Sequence, residues 1–124
     1  MVKHKTRKWE MPGGRLMSGE SYEDGARREF LEETGHPLLD IIGEIEIGRK
    51  GGKVFVGLAG HRLNCELSEE IEQVKEFEEL PKELSFPLVE YQTMLDWAKT
   101  VVESFKKKKS IGRTASPLNS HETE

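Results

Sequence analysis

The sequence predicts an α+β domain, and three observations carry that reading. Residues 21–34 form a helix with a stop or start signal at each end. Residues 38–48 end in strict apolar/polar alternation and are followed by a glycine-rich turn and a return strand. Residues 85–105 repeat apolar side chains at helical spacing, as a helix lying on a sheet would.

Residues 2–11 read as extended, with Val2 the one aliphatic residue before Trp9. Pro12, Gly13 and Gly14 make a turn, because proline fixes one dihedral and glycine permits close backbone approach. Ser21 is a good N-cap, and Asp24 three residues on resembles a capping box. Gly35 is a natural C′ residue and Pro37 prevents continuation.

In the strand at 38–48, Ile45 and Ile47 alternate with Glu44 and Glu46, which gives one wet face. Residues 49–53 are a hairpin turn. The return strand, 54–63, is apolar on both faces at first, so a central position is expected. Residues 64–70 are a loop, and a short strand is expected at 74–77, stopped by Pro81. Ser85 can cap the last helix, with Pro87 in its first turn. Tyr91, Met94, Leu95, Ala98, Val101, Val102 and Phe105 form its apolar stripe. Residues 1–105 are thus read as one domain. Lys106, Lys107, Lys108 and Lys109 suit the negative end of a helix, and 106–124 reads as a basic, then polar, disordered tail.

The bulk properties narrow the function. The chain of 124 residues is long enough for one domain and not two. A formal charge of −4 gives no general reason to expect nucleic-acid binding. No apolar run approaches the roughly 20 residues needed to span a bilayer. One cysteine, Cys65, excludes an intramolecular disulfide and fits a reducing cytoplasm. Four histidines without ligand-type spacing argue against zinc.

The glutamates of the first helix are the informative feature. With about 100° per residue and Glu29 at zero, Glu33 falls at about 40° and Glu32 at about 300°. Tyr22, Ala26 and Phe30 fall at about 20°, 60° and 100°, so the carboxylates adjoin the apolar stripe. The bland reading is a solvated acidic face, with Arg28 paired to Glu32 at i,i+4. The sharper reading starts from position: carboxylates crowded at the rim of a buried face raise one another's pKa, and a hard divalent cation removes that cost.

The residues resemble the Nudix box, G-x5-E-x7-R-E-U-x-E-E-x-G-U, where U is apolar. Gly14, Glu20, Arg28, Glu29, Phe30, Glu32, Glu33 and Gly35 fill the pattern, and the lead-in from Trp9 to Gly14 is similar as well. The box occupies 14–36 and the resemblance covers about 9–100. His36 departs from it, being polar at the last U position. The resemblance implies a Nudix-type α/β/α sandwich with a mixed sheet. The box stands so near the start that the usual N-terminal strand or strands are expected to be lacking.

The resemblance also implies magnesium-dependent hydrolysis of a nucleoside diphosphate linked to another group, with manganese as an alternative metal. It implies Glu32 and Glu33 as metal ligands, helped by the Gly14 carbonyl. Glu29 would be a further ligand or the general base, and Arg28 would orient it. Glu20 would support the cluster; Glu70, or else Glu69, is the candidate for an additional glutamate, against a solvated-loop reading. The sequence is most similar to MutT-like nucleoside triphosphatases, some of which clear 8-oxo-dGTP. ADP-ribose or a dinucleotide polyphosphate is the alternative substrate. A non-catalytic nucleotide-binding or regulatory module is the alternative class. No residue is assigned to base recognition; Phe86 is either a pocket wall or a helix staple. Trp9 reads as core packing, His36 and His61 as structural, and Cys65 as half-buried. A homodimer is an option, with no membrane or specific nucleic-acid partner expected.

Overall fold

The computed structural model describes residues 1–47 and 52–115. Its elements are β1 (Val2–His4), β2 (Trp9–Glu10), α1 (Tyr22–Thr34), β3 (Leu38–Ile47), β4 (Gly52–Ala59), β5 (Ile71–Val74) and α2 (Leu88–Ala115). This is an α+β fold. Its strands divide into two antiparallel sheets, one ordered β2-β1-β5 and one formed by β3 and β4. One parallel bridge, Trp9 to Leu84, lies outside the strands. Both helices pack against the β3–β4 hairpin. The single mixed sheet expected from the sequence is therefore replaced by two smaller ones.

The extended reading of residues 2–11 is corrected to a hairpin. Val2 pairs with Glu10 and Lys3 with Trp9. Val2 is the one fully buried side chain of its size class, and Ile71 and Tyr91 complete the buried apolar set among the described residues. His4, Glu10, Glu33 and Thr34 are buried beside them. A core with so many polar members is organised around charge pairing as much as around apolar area.

α1 follows its local signals. The Ser21 hydroxyl accepts from Asp24 N–H at 3.1 Å, and Gly35 ends the helix in the left-handed region at φ 77°. Gly35 N–H donates to Leu31 C=O at 2.9 Å. Three other expectations shift. β5 is at Ile71–Val74 rather than 74–77, because Ile71 and Val74 pair with His4 and Val2. Phe77 leaves the sheet to pack edge-on against Trp9, with ring centroids 4.9 Å apart. β4 pairs only with β3 among the described residues and is half-exposed, so it is not central. The turn at 49–53 falls mostly outside the described residues.

Ser85 does not cap α2. Its hydroxyl accepts from Lys8 N–H at 3.1 Å and its N–H donates to Trp9 C=O at 2.9 Å, so it is committed to β2. The first turn opens instead with Glu90 N–H donating to Pro87 C=O. The helix also passes Phe105, where the sequence placed the start of a tail. Lysine is a good helix former, and Lys109 Nζ lies 5.3 Å from the Phe105 ring centroid. Residues 116–124 lie outside the described residues.

Candidate active site

Two pieces of chain meet on α1. The first is the loop of residues 12–20, which leaves β2 through Pro12. Gly13 N–H reaches Glu33 Oε1 at 3.4 Å. A side chain at Gly14 would have no room: a Cβ there would lie 2.6 Å from Glu29 Oε1 and 2.7 Å from its carboxyl carbon. The second piece is loop 63–70, tied to the end of α1 by Leu63 N–H to Gly35 C=O and Ser68 N–H to Glu32 C=O, both 2.8 Å.

Arg28 gathers the carboxylates. Its Nε donates to Glu20 Oε2 at 2.7 Å and its Nη2 to Glu20 Oε1 at 3.0 Å, a bidentate pair. Its Nη1 donates to Glu29 Oε1 at 3.0 Å and to Glu32 Oε2 at 3.2 Å, and Nη2 also reaches Arg15 C=O at 3.0 Å. The hydrogen bond from Arg28 holds the Glu20 carboxyl down at about 2, helped by Met17 N–H. Those same carboxylates push the Arg28 guanidinium further up.

Glu33 sits differently. It is only 4% exposed. Burial raises its pKa first, and a hydrogen bond with the Glu29 carboxyl raises it further, to about 8. Gly13 N–H opposes the shift without cancelling it. Without a cation, the Glu29–Glu33 pair therefore holds a proton near neutral pH.

The structure thus brings together Gly14, Glu20, Arg28, Glu29, Glu32 and Glu33. Glu69 and Glu70 are exposed on loop 63–70, and Glu70 takes part through its backbone, accepting from Lys5 N–H at 2.9 Å. Among the described residues no group of three or more His, Cys, Asp and Glu side chains is arranged to hold a metal ion. The donor set nevertheless fits a hard cation. Its atoms are carboxylate oxygens, two of the carboxyls are pressed together, and one of those is buried against its preference for charge.

A second polar cluster lies next to this one and was not read from the sequence. Glu10 is buried, with Oε1 at 2.9 Å from His4 Nε2 and 3.1 Å from Arg7 Nη2. Glu10 Oε2 and Tyr91 Oη are buried without a hydrogen-bond partner among the described residues. The charge of Glu10 also contributes to the upward shifts of Glu33 and of Tyr91. The available signal was spacing: His4, Arg7 and Glu10 stand three residues apart in a segment with almost no aliphatic content.

The remaining expectations separate cleanly. Trp9 packs on Phe77, and His36 Nδ1 lies 2.9 Å from Gly60 C=O, both structural. Cys65 is exposed rather than half-buried. Phe86 is 52% exposed and packs edge-on to Tyr91, as a staple at the start of α2.

Among curated proteins, one from Bacillus subtilis (strain 168) named "Putative 8-oxo-dGTP diphosphatase" is 61% identical over 28 residues. That match covers 23% of this chain and 19% of the relative. No solved structure matches the chain. The family model described as NUDIX domain matches residues 1–105, which contain the whole glutamate constellation. With that match over most of its length, the chain belongs to the Nudix hydrolase family.

Proposed function

We propose that the chain hydrolyses a nucleoside diphosphate linked to another group, with a nucleoside triphosphate as substrate and magnesium as cofactor. The observation that carries this reading is the Glu29–Glu33 carboxyl pair, set against Gly13 and Gly14, with Glu33 buried and Glu29 backed by Arg28. Such a pair is costly by itself and is relieved by a divalent cation. The name of the Bacillus subtilis relative favours an oxidised purine such as 8-oxo-dGTP.

Glu32 and Glu33, with the Gly14 carbonyl, would hold the metal, and Glu29 would either join them or act as base. Magnesium, when bound, neutralises phosphate oxygens and lowers the pKa of a water. Arg28 positions Glu29 through a charge-assisted hydrogen bond, and Glu20 anchors Arg28. As base, Glu29 takes the proton of the attacking water. A new bond forms between that water's oxygen and phosphorus, and the anhydride between the α and β phosphates breaks. Nucleoside monophosphate and pyrophosphate leave. Glu70 is a supporting residue in this scheme, delivered by loop 63–70.

We place the protein in the cytoplasm, on the single cysteine; the described helices include none long and apolar enough to cross a membrane. A homodimer remains open to light scattering. The second reading is a nucleotide-binding module without turnover. One experiment separates the two. Pyrophosphate release is measured on 8-oxo-dGTP, dGTP, other nucleoside triphosphates and ADP-ribose, with and without magnesium, alongside Glu33→Gln. Magnesium-dependent release that disappears in the variant supports hydrolysis. Nucleotide binding with no release on any compound supports the module.

A further inference from the structure

The carboxylate site leaves a problem in charge. Its substrate carries several negative charges, and Arg28, the one arginine inside it, is already engaged by three carboxylates and a carbonyl. A second, pre-positioned cation is needed at the rim.

The β1–β2 hairpin carries Lys3, Lys5, Arg7 and Lys8 in a chain whose net charge is −4. Its tip is stitched to the site by two independent routes. Lys5 N–H donates to Glu70 C=O at 2.9 Å, and two residues earlier in the same loop Ser68 N–H donates to Glu32 C=O. That path limits the Lys5–Glu32 backbone separation to about 15 Å. On the other side, Arg7 holds Glu10, which stands three residues, at most about 10 Å of chain, before Gly13 and its bond to Glu33.

Within this hairpin Arg7 is unlike the lysines. Its Nη2 is fixed by Glu10 Oε1 at 3.1 Å and rests against the His4 ring, 3.0 Å from Nδ1 and 3.2 Å from Nε2. His4 Nε2 in turn lies 2.9 Å from the same Glu10 Oε1. The rest of the fork faces outward: the side chain is 52% exposed, and among the described residues no partner engages Nε or Nη1. Arg15, on the loop of residues 12–20, is exposed, and among the described residues no partner engages its side chain. A guanidinium held at Nη2 by a buried carboxylate, with Nε and Nη1 left without a partner among the described residues, keeps its charge and two further donor groups available to an oxyanion.

We propose that the Arg7 guanidinium, anchored by His4 and Glu10, binds a phosphate of the nucleotide at the rim of the glutamate site. This rests on the reading of that site as a nucleotide site. The arginine binds substrate without taking part in bond breaking, and the three lysines around it raise the local concentration of polyanions.

The test uses inorganic pyrophosphate, titrated calorimetrically into the full chain in millimolar magnesium, for wild type, Arg7→Ala and Arg7→Lys. KM and kcat on a nucleoside triphosphate accompany it. Arg7→Ala is expected to weaken pyrophosphate binding about tenfold or more, the loss of one charge-assisted contact. KM rises by a similar factor with kcat little changed, and Arg7→Lys recovers part of the affinity. A purely structural arginine would lower the melting temperature and leave affinity in the cold unchanged. Equal affinity in Arg7→Ala and wild type overturns the proposal, as does a wild type that binds no pyrophosphate. If Arg7→Ala does not fold, Arg7→Lys and Arg7→Gln, which keep a donor for Glu10, make the same comparison. Pyrophosphate binding that depends on Arg7, without turnover of any nucleotide, supports the grip and removes the hydrolytic reading instead.

Discussion

The Glu29 carboxylate occupies the space where a side chain at Gly14 would stand, 2.6 Å from the position of its Cβ. Loop and helix are thus fitted to each other through a charged group rather than an apolar one. Gly14→Ala must push that carboxylate off Arg28 or lift the loop. Turnover is expected to fall at least about tenfold, as expected when a charge-assisted hydrogen bond is misaligned. Melting curves should show a fold that remains cooperative; turnover equal to wild type would show the fit to be irrelevant.

Glu33→Gln removes a carboxyl that resists ionisation. In EDTA at pH 8 the variant is expected to melt at or above the wild-type temperature, because the like charges of the pair are gone. In millimolar magnesium the order reverses, since a cation that binds only the folded wild type stabilises it. Differential scanning fluorimetry in the two buffers reads both signs.

The metal-free protein should lose stability as pH rises. Folded Glu33 titrates at about 8, against an ordinary value of 4.5. Between those values the folded state binds a proton that the unfolded chain has released, so stability declines across that window and is fully present below it. Glu20 behaves in the opposite sense. Held at about 2, it stabilises above 4.5 and loses its contribution as pH falls towards 2. Urea midpoints from pH 4.5 to 8 in EDTA check the first limb; a rise over that range would contradict the burial of Glu33. Magnesium should flatten the slope.

Gly35→Ala tests the end of α1. At φ 77° an alanine is strained, and a loss of about 1 kcal/mol is expected by urea denaturation. The same residue's carbonyl accepts from Leu63, so any activity lost with it would report on loop 63–70.

α1 was legible because everything that starts and stops it is local: Ser21, Asp24 and Gly35 act within a few residues. The box residues were picked out by their resemblance to a family pattern, and they lie on one loop and one helix. What the sequence could not show was set by partners far along the chain. Ser85 has the chemistry of a cap but is claimed by Lys8 and Trp9, 77 and 76 positions away. β5 moved because pairing with Val2 and His4 selects Ile71 and Val74 over Phe77. Glu10 reads as an ordinary surface glutamate until the hairpin folds His4 and Arg7 onto it.

The five donor contacts of Arg28 reach both the loop, at Arg15 and Glu20, and the helix, at Glu29 and Glu32. Of the loop's own apolar side chains, Leu16 lies against Gly25 of α1 while 41% exposed and Met17 is 59% exposed, so apolar adhesion is limited. The wall of the site is therefore fastened mainly by charged contacts, across a surface that water and counterions can enter. At molar salt the screening length contracts to about 3 Å, comparable to these contacts. Ionic strength becomes a dial on how firmly the loop is seated.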